Sequence, residues 1–496
     1  MPIPTLQIRR ALCIGAAGAL VAMAGCADHS APGKMPLTSC RIAKLPSVAQ
    51  CGTVEVLEDR AKPSGRKISI AVAVLPANTL NPRPDPLFLL PGGPGQSAQS
   101  IAPLAALLTG VRKNRDLVLI DPRGTGHSAP LQCPALAPRD PIDTLIDAMA
   151  SDTAVRECLE QLQQSDKADL AQYTTEAYVA DIDEVRGALS YPSINLLGAS
   201  YGTRVAQEYL RRYPQHVRSV VLDGVATPSM RIDLDVWPAR EAALNDVLQA
   251  CTADAPCHSA LPDVEAALAK IRTALDSTPR ITLADPRTGA SREIALSYDL
   301  VIGALQAFVY APELSSLIPP ILDRAAGGDF SPLLAAAMMF SEDLDRTMNF
   351  ALHYAVTCAE DAARVKPDEV ASLLAHLRAP SLAQRNLTAC EGWPRPPLPE
   401  DFASPVVSDR PVLLLSGGLD PVTPPANAEI VARTLSNHRH VVASGYGHIV
   451  SPHACAPRLI EAFIDEAGFT ALPQSCLDYF VASKRPALFA TLLEPR

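Results

Sequence analysis

From Lys67 onward the chain is punctuated by seven short apolar runs, each running into Gly, Pro or Asp. They are ISIAVAVL (68–75), PLFLLPGG (86–93), DLVLIDPRG (116–124), INLLGAS (194–200), SVVLDG (219–224), PVLLLSGG (411–418) and HVVASG (440–445). The runs are apolar throughout rather than alternating. That pattern suits strands buried on both faces, as in a parallel sheet covered by helices. Helical periodicity lies between several of them, at 176–189 and 202–213. Strands alternating with helices predict an α/β domain with a doubly wound, mostly parallel sheet.

The alternation breaks twice. Residues 27–65 are rich in Pro, Ser and Gly and read as a tether followed by an irregular segment. Residues 229–404 are rich in Ala and Leu and read as helices broken by Pro. A helical block between two sheet strands is expected to cap the strands' carboxyl ends, where open α/β sheets bind ligands. The expected organisation is therefore a leader (1–25), a tether and irregular segment (26–66), a first core part (67–228), an inserted helical cap (229–404) and a second core part (405–496).

The leader changes the expected compartment. Arg9 and Arg10 precede an apolar stretch over 11–24, and Met23-Ala24-Gly25-Cys26 follows. A positive start, an apolar run and small residues before Cys are the pattern of a bacterial export signal with a lipidated Cys26. Cleavage near Ala24 and release is the alternative. A retained span fits less well, because crossing a bilayer takes roughly 20 apolar residues. Twelve cysteines are present; setting aside Cys13 and Cys26 leaves ten, an even number that fits five disulfides in an exported chain. Neighbour pairing (40–51, 133–158, 251–257, 358–390, 455–476) closes the shortest loops. No pair of cysteines or cluster of histidines has metal-ligand spacing. The net charge of −10 comes without any Lys/Arg cluster, so nucleic acid is a poor partner. Membrane contact is expected through the lipid alone.

Gly198-Ala199-Ser200-Tyr201-Gly202 is a G-x-S-x-G lying between an apolar run and a helical stretch. A sharp strand-to-helix turn there would present the Ser200 hydroxyl at a helix N-terminus. A serine hydroxyl attacks only when a base takes its proton and an acid orients the base. Asp420 and His448 follow in the required order, each just past a strand-like run. His440 and His453 are rival bases. Leu90-Pro91-Gly92-Gly93-Pro94-Gly95 could supply a backbone amide to an oxyanion, from Gly93 or else Gly92, beside the amide of Tyr201. Asp121 and Arg123 are expected to fix the DPRGTG turn rather than touch a substrate.

Five motifs in order carry a resemblance: the PGGPG loop, DPRGTGHS (121–128), GASYGT around Ser200, GGLDPVTPP (417–425) and GYGH. Together they resemble the family of proline iminopeptidases and tripeptidyl aminopeptidases, over about 67–228 and 405–496. The resemblance implies an α/β-hydrolase fold and serine exopeptidase activity on peptides, through an acyl-enzyme and without metal or cofactor. Pro91 stands where proline iminopeptidases carry His, which leans toward the tripeptidyl branch. Such an enzyme binds a free α-ammonium, and a buried cap carboxylate suits that role. Glu360 or Asp361, beside Cys358, is the expected partner, with Thr423 expected to line the pocket. An esterase or lipase using the same three residues is the first alternative; a catalytically silent envelope binding protein is the second.

Overall fold

The computed structural model describes residues 35–136, 152–165, 167–277 and 280–489. The leader, Cys13 and Cys26 lie outside them. Eleven strands occur among the described residues: β1 (Thr38–Cys40), β2 (Ala49–Leu57), β3 (Lys67–Leu75), β4 (Leu87–Leu90), β5 (Leu117–Ile120), β6 (Ile194–Ala199), β7 (Val217–Asp223), β8 (Arg280–Ala284), β9 (Ser291–Ala295), β10 (Val412–Gly417) and β11 (His438–Ala443). Nine form one sheet in the order β1-β2-β3-β5-β4-β6-β7-β10-β11. Pairing is antiparallel from β1 to β5 and parallel from β5 to β11.

The continuous apolar runs have the physical cause inferred for them. Every residue of β4, β5 and β10 is buried. Successive side chains point to opposite faces of a strand. Accordingly Phe88, Leu90, Val118, Ile120, Val412 and Leu414 join one apolar cluster. Leu87, Leu89, Leu117, Leu119, Leu413 and Leu415 join another on the opposite face. Both faces are dry because helices cover both, so neither face shows polar alternation.

Two expectations about organisation need correction. The segment 26–66 is not irregular throughout: β1 and β2 lie in it, and β2 pairs along its length with β3. Its strand character was hidden because β2 is largely half-buried, so its apolar residues are interrupted by Gln50, Thr53 and Glu55. The inserted block is not purely helical either. It carries the antiparallel hairpin β8–β9, whose alternating exposed positions lack an apolar run. The rest of the block is helical and has its own core, with Leu244, Ile271, Leu305, Phe308, Ile318 and Leu322 buried together. All five disulfides join sequence neighbours: Cys40–Cys51, Cys133–Cys158, Cys251–Cys257, Cys358–Cys390 and Cys455–Cys476.

The DPRGTG turn is a buried polar knot. Asp121 accepts from the Ala98 amide at 2.7 Å and the His127 amide at 2.9 Å. Arg123 makes a two-pronged pair with Asp181, 2.7 Å on each prong, and donates to the carbonyls of Glu58 and Gln172. Both members of the pair are almost wholly buried. Asp181 also pairs with the partly exposed Arg60 at 2.5 Å, so removing Arg123 takes two of its donors from the buried carboxylate without leaving it unpaired, a loss on the order of 1–3 kcal/mol. Arg123→Met is therefore expected to lower unfolding stability by about that amount. A fall in the urea midpoint at unchanged slope checks this; a shift worth under about 1 kcal/mol would contradict it.

Candidate active site

Ser200 stands between β6 and the helix Tyr201–Arg212, with φ 55° and ψ −122°. A non-glycine residue at positive φ costs on the order of 1–3 kcal/mol and persists only where neighbours enforce it. The neighbours are explicit. The Ser200 amide donates to Asp223 O at 2.9 Å, and the Ser200 carbonyl accepts from the Thr203 amide and hydroxyl at 2.8 and 2.6 Å. The flanking glycines are needed for close approach. A Cβ on Gly198 would sit 2.2 Å from Gly202 O, and one on Gly202 would sit 2.3 Å from Leu90 O.

Asp420 follows β10 and is buried. One carboxylate oxygen accepts from the amides of Val422 and Thr423, at 2.8 and 2.9 Å. The other accepts from the Thr423 hydroxyl at 2.8 Å. Both oxygens face His448 Nδ1, at 3.0 and 2.9 Å. Burial alone would push the Asp420 carboxyl up, but His448 and the amide donors hold it below the usual carboxylate range. Burial alone would push His448 down, and the Asp420 charge outweighs it, so its affinity for a proton is raised.

The loop after β11 carries His448, whose amide donates to Tyr310 O in the cap at 3.0 Å. The edge of Tyr310 also packs on the imidazole. The next amides, Val450 and Ser451, donate to the buried Asp223 carboxylate at 2.7–3.0 Å. A Cβ on Gly224 would lie 3.1 Å from His448 Cε1. The ring therefore sits over the end of β7, the strand whose last carbonyl receives the Ser200 amide. Of the rival bases, His440 pairs with the Ser416 hydroxyl and His453 lies against Tyr446. Neither reaches Asp420.

Gly92 closes on the same point, and Gly93 turns the loop back toward Gly95 and Gln96. A Cβ on Gly92 would lie 3.1 Å from Ser200 Cβ, and Gly93 has φ 106°. Tyr201 opens its helix, so its amide belongs to the first turn, which has no intrahelical acceptor. The arrangement suits nucleophilic attack at a carbonyl carbon, with backbone donors around the developing oxyanion.

The residues expected to meet a substrate amine are placed elsewhere. Glu360 and Asp361 are fully buried between cap and core. Glu360 accepts from the Thr175 amide at 2.5 Å and the Thr175 hydroxyl at 2.7 Å. That hydroxyl also meets Tyr201 OH at 2.8 Å. Asp361 pairs with Arg204 at 3.0 Å and Arg364 at 2.8 Å, and accepts from the Ile232 amide. With their oxygens filled by Thr175 and Arg204 of the core and by Arg364 and Ile232 of the cap, both carboxylates moor the cap and do not present themselves to solvent. Burial pushes Glu360 up to about 7, Arg204 notwithstanding. Thr423 likewise does not line a pocket: it is buried and gives its hydroxyl to Asp420. Asp223 was missed in the sequence, although a carboxylate ending the apolar run VVL of β7 was a visible signal.

A family model for the α/β hydrolase fold matches residues 85–452. The chain belongs to the α/β-hydrolase family. Among curated relatives of this hydrolase, the tripeptidyl aminopeptidase of Streptomyces coelicolor is 36% identical over 197 residues, covering 37% of this chain and 36% of that protein. The match thus spans little more than a third of that relative. Carboxylesterase B of Mycobacterium tuberculosis is 30% identical over 420 residues, covering 78% of each chain. Serine protease Hip1 of the same organism is 27% identical over 424 residues, covering 78% of this chain and 80% of its own.

The Asp420 charge raises the proton affinity of His448, so removing it should act in the opposite direction. In Asp420→Asn the His448 imidazole is expected to lose its proton at a lower pH than in the wild type. An NMR titration of the His448 Cε1 proton reads this; an unchanged or higher midpoint would refute it.

Proposed function

We propose that this hydrolase is an exported serine aminopeptidase that cleaves peptides from a free N-terminus through an acyl-enzyme. Ser200 Oγ attacks the carbonyl carbon while His448 Nε2 takes its proton. Asp420, bonded to Nδ1, fixes the tautomer and stabilises the imidazolium. The amides of Tyr201 and of Gly93 or Gly92 receive the oxyanion. Collapse expels the amine, which takes its proton from His448, and water then releases the acyl peptide by the same route in reverse. The observation that carries this reading is the doubly hydrogen-bonded Asp420–His448 pair at the sheet end that holds Ser200 in its strained turn.

The exopeptidase part rests on similarity to the tripeptidyl aminopeptidase and on the five motifs. Export is supported by five disulfides; lipidation at Cys26, the proposed membrane contact, rests on the residues before it. No helix among the described residues is long and apolar enough to cross a membrane. A second reading, an esterase, is favoured by the longer match to carboxylesterase B. Peptidase and esterase would share all of the chemistry above and differ only in what the cap admits.

Ser200→Ala is expected to abolish turnover and labelling by a fluorophosphonate; retained turnover would sink the mechanism. Asp420→Asn is expected to lower kcat on the order of 10⁴-fold. A panel of chromogenic substrates separates the two readings. Free tripeptide anilides should outpace N-blocked ones and short-chain esters, and equal or faster cleavage of blocked peptides or esters would favour the esterase.

A further inference from the structure

The loop Gly92–Ser97 is held by the cap as well as by the core. The Asn349 amide donates to Gly95 O at 2.8 Å, and the Ser97 amide donates to Thr347 O at 2.9 Å. A third tie comes from His353, on the cap helix Phe350–Glu360. Its Nδ1 lies 3.1 Å from Pro94 O, and its Nε2 lies 3.3 Å from Asp233 Oδ1. Asp233 sits in the first turn of a second cap helix, Ile232–Ala253. The imidazole is therefore wedged between a carbonyl and a carboxylate.

A peptide carbonyl can only accept, so Nδ1 must carry a proton. A bare Nε2 would turn a lone pair on an ionised carboxylate, so Nε2 must carry one too. The partners themselves require an imidazolium. The side chain is mostly sheltered, as is that of Asp233. Asp233 and, farther off, Asp361 are the anions that favour the charge, against the cost of burial. Arg240, on the same helix as Asp233, helps keep that carboxylate ionised. The loop itself carries no titratable side chain between Gly92 and Ser97.

We propose that His353 is a positioning residue: as an imidazolium locked by Asp233, it holds the Pro94 carbonyl and so aims the Gly92–Gly93 amides at Ser200. The oxyanion loop is then in register only while the cap is seated and His353 is charged. Loss of the Nε2 proton would set a lone pair against Asp233, and the ring would leave the loop. Activity is thereby expected to rise as His448 sheds its proton and to fall as His353 sheds its own. The inference rests on the reading of this loop as the oxyanion donor.

The test uses the full chain and whichever substrate of the panel it turns over, a free tripeptide p-nitroanilide or p-nitrophenyl acetate. Wild-type kcat/KM is expected to show an alkaline limb. His353→Gln, whose amide still donates to Pro94 O but does not titrate, should lose that limb while staying within about fivefold at the optimum. His353→Leu should lower kcat on the order of 10- to 100-fold with KM within about twofold, as a misplaced catalytic amide would. Asp233→Asn should move the limb to lower pH, because the anion that favours the imidazolium is gone. A limb absent from the wild type, or unmoved in both His353→Gln and Asp233→Asn, overturns the proposal. A measurement without turnover stands beside these. In Ser200→Ala, ¹⁵N NMR should find both His353 ring nitrogens protonated at pH 7, and one bare nitrogen overturns the imidazolium. Failure of the underlying reading looks different: it is turnover surviving in Ser200→Ala.

Discussion

A single hydrogen bond, from the Ser200 amide to the last carbonyl of β7, fixes the point on which the site is built. It holds a non-glycine residue at φ 55° and so turns the end of β6 sharply into a helix. The same residue that supplies the carbonyl, Asp223, uses its buried carboxylate to seize the Val450 and Ser451 amides just after His448. One residue thus ties the serine turn to the histidine loop. Burial disfavours the Asp223 charge, and the converging donors offset only part of that. The cost is borne by a sheet whose two faces are packed with aliphatic side chains.

The cap is joined to this point by polar groups rather than by an apolar seam alone. Arg204 lies on the helix that follows Ser200 and pairs with Asp361 of the cap. Glu360 reaches Tyr201 OH through Thr175. Tyr310 of the cap accepts from the amide of His448, and the segment 347–353 lies along the loop Gly92–Ser97. Each of the three parts of the site therefore has at least one direct tie to the inserted block. Buried polar networks of this kind fix geometry more than they add stability, because each charge must first be taken out of water. The consequence is that the cap helps set the positions of the polar groups gathered at the sheet edge.

The parallel core was legible in the sequence because its strands are covered on both faces. Runs such as LFLL, LVLI and VLLL contain no polar residue in any register, so their identity does not depend on knowing which face is which. The gathering of Ser200, Asp420 and His448 at one edge of the sheet was legible for a related reason. In a parallel sheet the chain must return to the same edge after each strand, so residues just past strand ends gather there whatever their separation. Strands β2, β8 and β9 were not legible, since each has exposed positions and mixes polar with apolar residues.

The roles of individual polar side chains in the cap divided along the same line. The sequence by itself determined which residues could do chemistry at the sheet edge: Ser200, Asp420 and His448 are set by strand order, and Gly198 and Gly202 by the close approach their turn needs. Only the tertiary structure decided what Glu360, Asp361, Thr423 and His353 meet. Apart from Asp420 beside Thr423 and Arg364 beside Asp361, their main partners are distant in sequence and are brought opposite by packing. A carboxylate beside a disulfide looks the same in sequence whether it faces a substrate or a buried arginine. The difference is made by which helix arrives opposite it, and that is fixed only when the cap settles on the core.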